Sequence, residues 1–195
     1  MRIVLASQSP SRLQILRAAG VEPVVHPADV DERAIEAVSS GTEETVEALA
    51  AAKARAVSEL YPDDVVIGCD SMLLLDGQLQ GKPHTREATI ERWRAQAGRQ
   101  AELLTGHCIS YGAQEFIATG RTQIHFAPAT EADIKAYAAT GEPLQCAGAF
   151  TLEALGGWFI DRIEGDPSSV IGLSLPLVRR ALYSFGVDVS EFWHS

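Results

Sequence analysis

The sequence lacks an excess of positive charge. Its 195 residues include 16 Lys and Arg against 26 Asp and Glu, which gives a formal net charge of -10. A protein that coats a nucleic acid needs a basic surface that releases counterions from the phosphate backbone, so the composition argues against nucleic acid as a partner. An acidic protein can still bind a small polyanion where a few cations converge or a metal ion bridges the charges.

The sequence also lacks paired cysteines and long apolar runs. The three cysteines, Cys69, Cys108 and Cys146, show no CxxC spacing, which argues against a disulfide framework and against a structural zinc site. They favour a reducing, cytoplasmic location. The first apolar run is too short for a signal peptide, and no stretch of about 18 apolar residues predicts a membrane span. The five histidines have no HxxxH spacing, and no role is assigned to them.

What is present is an alternation of strands and helices. The patterns predict strands at 2–6, 21–25, 65–67, 72–75, 103–111, 116–126 and 158–163, and helices at 11–20, 42–60, 86–97, 130–140 and 171–183. This alternation predicts an α/β fold with helices flanking a sheet. A hairpin turn predicted at Asp76-Gly77 and a polar turn between strands 103–111 and 116–126 exclude a purely parallel arrangement and make the sheet mixed. The length suits one domain over residues 1–195, or two small lobes around a central cleft.

The first loop, from Ser7 to Arg12, joins a strand to a helix and carries three hydroxyl groups and one guanidinium. Backbone N–H groups at a helix start, hydroxyls and an arginine are suited to phosphate oxygens. On the pattern alone, a serine that caps the helix beside a solvated arginine is the more common case, because capping serines are frequent at helix starts. Both interpretations remain open from the residues alone.

Carboxylates at two places are candidates for metal binding. Asp70 is expected just beyond the apolar strand 65–67, where a carboxylate can hold a divalent cation or act as a general base on water. The alternative is a turn aspartate bonded to its own backbone. Asp29, Asp31 and Glu32 could complete a site for a hard cation with Asp70, or form a solvated acidic loop. Two such carboxylates would repel each other in an empty site.

Two lysines complete the set of charged candidates. Lys53 lies within an alanine-rich helix, a position typical of solvent-exposed lysines, whereas Lys82 is held in a rigid turn by Gly81 and Pro83. With Arg12 they supply three cations, and Glu32 and Asp70 supply two carboxylates. This is a suitable inventory for a triphosphate with a metal ion, although spacing does not show that the residues converge.

Motifs along almost the whole chain resemble, in order, those of the Maf family of nucleotide pyrophosphatases, whose fold is similar to that of the inosine triphosphatases. The matching segments are LASQSPSR at 5–12, Asp31-Glu32, AAKA at 51–54, GCD at 68–70, Asp76-Gly77, GKP at 81–83, Thr105-Gly106, GEP at 141–143, AGAF at 147–150, IEGD at 163–166 and VIGL at 170–173. The resemblance implies a nucleoside triphosphate pyrophosphatase that releases the monophosphate and diphosphate, requires Mg²⁺ or Mn²⁺, and forms a homodimer.

The resemblance also implies residue roles. Asp70 would be the catalytic base or metal-bound carboxylate, Glu32 would help to hold the metal, and the triphosphate would be bound by Ser7, Arg12, Lys53 and Lys82. The positions that sort family members by base are Ser11, Ser71 and Glu153. One group of the family prefers pyrimidine triphosphates and the other a methylated guanine nucleotide, and only Glu153 matches the residue typical of either group. In addition, Pro167-Ser168-Ser169 replaces the aromatic residue and Asn that are usual in the family. A non-catalytic nucleotide-binding regulator of cell division or septum formation is the alternative function.

Overall fold

The computed structural model describes residues 1–193. Its strands are β1 (Ile3–Leu5), β2 (Val24–Val25), β3 (Val65–Leu75), β4 (Gln78–Gln80), β5 (Gln100–Tyr111), β6 (Gln114–Phe126) and β7 (Ile160–Glu164). Its α-helices are α1 (Pro10–Ala18), α2 (Glu32–Val38), α3 (Thr42–Ser58), α4 (Arg86–Gln96), α5 (Glu131–Ala139), α6 (Pro167–Ile171) and α7 (Leu175–Ser184). Along this part of the chain, no helix has the length and apolar character needed to cross a membrane.

The strands pair in the order β2-β1-β3-β5-β6-β7, and β4 pairs with β3 outside that path. β1 is parallel to both β2 and β3, whereas the β3–β4 and β6–β7 pairs are antiparallel. The predicted mixed sheet with flanking helices is therefore confirmed.

The chain divides into two compact units. The first unit comprises residues 1–70, 105–120 and the described chain from 172 onwards, and the second comprises 71–104 and 121–171. The long strands β3, β5 and β6 contribute a segment to each unit.

In the first unit, helix α3 lies directly against the backbone of the sheet. A Cβ atom on Gly68 would lie 2.3 Å from the carbonyl oxygen of Ala50, and one on Gly106 would lie 2.2 Å from that of Val46. These separations are too short for any side chain, so the two glycines permit the contact. Apolar residues of α3 fill the space around it, among them Ala50 and Ala54, which are fully buried.

In the second unit, the core is built around Trp93 of α4, which has no exposed surface. Its ring contacts Phe126, Tyr137 and Phe159 edge-on, with centroid separations of 5.5, 5.7 and 5.5 Å. Its indole N–H donates to the carbonyl oxygen of Ala149 at 2.7 Å. The buried donor is thereby satisfied, as a tryptophan in an apolar core requires.

Three element predictions were wrong. The runs 65–67 and 72–75 form one continuous strand, β3, so Asp70 lies within a strand and not beyond its end. The acidic segment after Asp31 is helical, because the Asp31 side chain accepts a hydrogen bond from the N–H of Ala34 and begins α2. The helix predicted at 171–183 begins only at Leu175 and ends at Ser184, because Gly172 has a φ of +127° that an α-helix does not allow.

Candidate active site

Asp70 is the last residue of a buried stretch of β3 that runs from Val65. The pairing of Ile3 with Val65 and of Leu5 with Ile67 fixes this part of the strand. Only 8% of Asp70 is exposed. Its carboxylate is therefore held on a rigid element, and it accepts a charged hydrogen bond that the turn interpretation did not include.

Lys53 of α3 supplies that hydrogen bond. Its Nζ lies 2.7 Å from Oδ1 of Asp70 and 2.8 Å from Oε1 of Glu32. The lysine is buried, contrary to the usual exposure of mid-helix lysines. Side chains two apart on a strand share a face, so the helix that contacts Gly68 also brings its lysine over Asp70. The ammonium group offsets the repulsion that was expected between the two carboxylates.

Glu32 approaches this lysine from the first turn of α2, and half of its side chain is exposed. The neighbouring Asp31, which the sequence also offered as a metal ligand, caps the helix by accepting from the N–H of Ala34. Glu36 lies one turn after Glu32 and was missed by sequence reasoning. Burial, followed by the charges of Asp70 and Glu32, raises the pKa of Glu36, and Lys53 partly opposes the shift. A helix prediction after Asp31 would have indicated Glu36 through its spacing of four residues from Glu32.

Arg12 of α1 connects the first loop to the backbone beside Asp70. Its Nη1 donates to the carbonyl oxygen of Cys69 at 2.8 Å and to Oγ of Ser7 at 3.1 Å. Its Nε donates to the carbonyl oxygen of Gly172 at 2.7 Å. Ser9 caps α1 by accepting from the N–H of Arg12. The capping interpretation is thus correct for Ser9, but the solvated arginine that accompanied it is wrong.

The first unit therefore brings together Ser7, Arg12, Glu32, Lys53 and Asp70. Ser11 occupies the first turn of α1, one residue before Arg12. Cys69 is adjacent to Asp70 in the chain, but burial raises the pKa of its thiol to about 11. The thiol stays protonated at neutral pH, which excludes it as the nucleophile.

The donor set fits a hard divalent cation that arrives with a phosphate ligand. Among residues 1–193, no group of three or more His, Cys, Asp or Glu side chains forms a ready-made metal site. Mg²⁺ characteristically keeps several waters and binds through one or two carboxylates together with substrate phosphates. Asp70 and Glu32 share one lysine and are the carboxylates that would hold such a cation.

The second unit contains the other predicted residues. Lys82 is exposed, and the preceding Gly81 carbonyl accepts hydrogen bonds from the N–H of Gly148 at 3.3 Å and from Arg92. Ser71 lies in β3. Glu153 is exposed, and its Oε2 accepts from the N–H of Leu152 at 3.1 Å.

Glu142 organises the loop that carries Glu153, and sequence reasoning assigned it no role. Its carboxylate accepts hydrogen bonds from Thr151, from the N–H groups of Leu155 and Gly156, and from Tyr137. Burial would raise the pKa of Glu142, but these hydrogen bonds outweigh it and lower the pKa. The Glu-Pro pair at 142–143 is the sequence feature that could have indicated this role of Glu142.

Comparison with known proteins places these residues in a family. Proteins named nucleoside triphosphate pyrophosphatase are 74% identical in Corynebacterium aurimucosum, over 99% of this chain and 98% of that protein, and 56% identical in Nocardia farcinica, over 98% and 96%. Among solved structures, the Staphylococcus aureus Ham1 protein is 20% identical, with a TM-score of 0.46 over 66% of this chain and 73% of that one.

The family model described as Maf-like protein matches residues 2–185. That range includes all of the site residues, from Ser7 of the first loop to Gly172. Because the match and the relatives extend over nearly the whole chain, the chain belongs to the Maf-like protein family.

Proposed function

We propose that this protein hydrolyses nucleoside triphosphates to the nucleoside monophosphate and diphosphate. The observation that carries the proposal is the buried contact of Lys53 with both Asp70 and Glu32, next to the backbone that Arg12 binds. Together, these contacts bring two carboxylates and two cations to the end of the buried stretch of β3. The names of the relatives support the same reaction.

In the proposed reaction, a water oxygen attacks the α-phosphorus and the bond between the α-phosphorus and the bridging oxygen breaks. Asp70 accepts the proton from the water, and diphosphate leaves. Arg12, Ser7 and the N–H groups at the start of α1 bind phosphate oxygens. Lys53 exchanges a carboxylate partner for a phosphate oxygen. Glu32 and Asp70 would hold a divalent cation, which when bound neutralises phosphate charge and polarises the scissile bond.

The choice of base rests on Ser11, Ser71 and Glu153, whose roles come from the resemblance. Glu153 can accept hydrogen bonds from amino or imino groups of a base. The two serines are small, and small side chains leave room for different bases. We therefore propose broad base specificity.

We also propose a cytoplasmic location and a homodimeric assembly. The three cysteines are unpaired, which supports a cytoplasmic location. A single catalytic domain over the whole chain is supported by the extent of the family match. The homodimer implied by the resemblance is tested by sedimentation equilibrium, in which a mass of one chain would contradict it.

The deciding experiment measures diphosphate and monophosphate release from a panel of normal and modified triphosphates, with Mg²⁺, Mn²⁺ or excess chelator. We expect equal amounts of both products and no turnover in chelator, because the triphosphate brings negative charge to a site with two carboxylates. Broad specificity predicts kcat/KM values within about a hundredfold, the discrimination that a modest difference in pocket contacts provides. Full activity in chelator contradicts the metal assignment. Binding without product release indicates the non-catalytic regulator.

A further inference from the structure

His107 of β5 is fully buried in the first unit and has a defined hydrogen-bonding state. Its Nδ1 lies 2.9 Å from the carbonyl oxygen of Thr105, and its Nε2 lies 2.7 Å from the backbone nitrogen of Ser174. A carbonyl oxygen only accepts, so Nδ1 carries the proton. Nε2 then has no proton and accepts from the N–H of Ser174. The ring is a neutral connector between β5 and the segment before α7.

That segment, residues 172–174, is attached at its other end to Arg12. The carbonyl oxygen of Gly172 accepts from Nε of Arg12 at 2.7 Å. A Cβ on Gly172 would lie 3.2 Å from the same nitrogen, so the guanidinium packs closely on this backbone. Leu173 is fully buried between the two contacts.

Ser174 also begins α7, because its Oγ accepts from the N–H of Leu177 at 3.2 Å. Displacement of Ser174 would move the start of the helix as well as the carbonyl of Gly172. His107 therefore restrains a backbone segment that forms part of the binding surface for Arg12.

We propose that His107 is a positioning residue that orients Arg12 for triphosphate binding through residues 172–174. The proposal rests on the proposed function in assigning Arg12 to phosphate. It differs from a purely structural role for a buried histidine because its effect must pass through Arg12. His107 contacts no substrate in this proposal.

The test is a double-mutant cycle between His107 and Arg12. His107→Asn keeps a donor for Thr105 but removes the acceptor for Ser174, whereas His107→Gln can place Oε1 where Nε2 lies. The measurements are kcat and KM for triphosphate hydrolysis, calorimetric Kd for inorganic triphosphate, and melting temperature. Tyr61→Phe is the control, since it removes a hydrogen bond of 3.0 Å to the ring of His26 in the same unit.

We expect His107→Asn to raise both KM and the Kd for inorganic triphosphate by about tenfold, the coupling typical of residues in one network, with a smaller change in kcat. His107→Gln should recover most of the loss. In the Arg12→Ala background, His107→Asn should raise Kd by less than about twofold, because the path is already broken. Tyr61→Phe should leave KM unchanged.

Equal effects of His107→Asn with and without Arg12 would overturn the proposal, as would a lower melting temperature with unchanged KM and Kd. Failure of His107→Gln to recover binding while folded normally would also overturn it. Failure of the proposed function is seen separately, as a wild-type protein that binds inorganic triphosphate and releases no diphosphate. In that case, the calorimetric Kd values for inorganic triphosphate in the double-mutant cycle still test the role of His107.

Discussion

At the scale of single residues, a substitution at the buried Asp70 should affect catalysis much more than stability. Asp70→Asn keeps the shape of the side chain and an oxygen that can accept from Lys53, but removes the basic carboxylate. We expect kcat to fall by at least about 10², the lower range of general-base assistance. The melting temperature should fall only slightly, because Lys53 keeps its contact of 2.8 Å with Glu32.

The matched control for Asp70→Asn is Asp64→Asn. Asp64 is also a buried carboxylate of the first unit, and it pairs with Arg2. This control should lose stability and keep kcat. An Asp70→Asn enzyme that melts normally and retains more than about a tenth of wild-type kcat, well above the expected loss, would identify Asp70 as a structural residue.

The residue types at the site could be predicted from the sequence, but their contacts could not. Arg12, Lys53, Glu32 and Asp70 were all selected by charge and motif. The burial of Lys53 depends on the separation of α3 from the sheet, which helix periodicity does not encode. Glu36 required the boundary of α2, which is set by the cap at Asp31.

At the scale of elements, the contact between α3 and β3 places Lys53 over Asp70. Gly68→Ala would force a Cβ to within 2.3 Å of the Ala50 oxygen and 2.6 Å of the Ala54 nitrogen. Both neighbours are backbone atoms, so the helix must shift. We expect a loss of about 3 kcal/mol in the free energy of unfolding, the upper range for overpacking, and a lower kcat.

Gly41→Ala is the control for this helix, because a Cβ there would meet only the side chain of Glu44, at 3.7 Å. Denaturant unfolding and kcat are measured for both variants. An unfolding free energy for Gly68→Ala within about 0.5 kcal/mol of wild type, the usual effect of a surface substitution, would mean that α3 does not determine the lysine position.

The start of β1 gives a prediction about pH. Asp64 accepts hydrogen bonds from the backbone N–H of Arg2 at 2.7 Å and from its guanidinium at 2.6 and 3.1 Å. The Arg2 side chain is the main cause that lowers the pKa of Asp64, against the opposing effect of burial. A depressed pKa contributes stability above the unfolded-state value of 3.8, and that stability is lost as the pH falls through the folded-state value.

Asp64→Asn should therefore lower the free energy of unfolding by about 1 kcal/mol at pH 7, the upper range for a pair whose arginine is exposed to solvent. The difference from wild type should begin to shrink below a pH of about 4, where the unfolded state binds the proton first. It should disappear once Asp64 is protonated in the folded state as well. Thermal melting over this pH range checks the result, with exposed Asp63→Asn as the control. A difference that is constant from pH 7 to pH 3 would exclude the ionised pair as its source.

Element boundaries were less predictable than element types. The sequence GCDS at 68–71 indicates a break because glycine and aspartate are unfavourable in strands. In the folded chain, Gly68 is required by the close approach of α3, and Asp70 is compensated by Lys53. Tertiary contacts thus override the local preference at the residues assigned to function.

At the scale of the whole molecule, the charge balance determines which polyanions can bind. The chain carries a formal net charge of -10, and the cations of the site are arranged locally. Lys53 contacts two carboxylates, and Arg12 contacts two backbone carbonyls. A compact triphosphate with its metal ion would use these groups, whereas an extended polyanion is opposed by the net negative charge of the chain.

We therefore predict that neither single-stranded nor double-stranded DNA binds, even at about 50 mM salt, where electrostatic binding to nucleic acid is strong. Fluorescence anisotropy of a labelled oligonucleotide is measured at protein concentrations that saturate with a nucleoside triphosphate, in the same metal-containing buffer. The triphosphate is the positive control, and unlabelled oligonucleotide should leave its hydrolysis rate unchanged. Oligonucleotide binding that weakens steeply with added salt would contradict this prediction. Such a dependence is the signature of counterion release, so it would reveal a basic surface and identify nucleic acid as a partner.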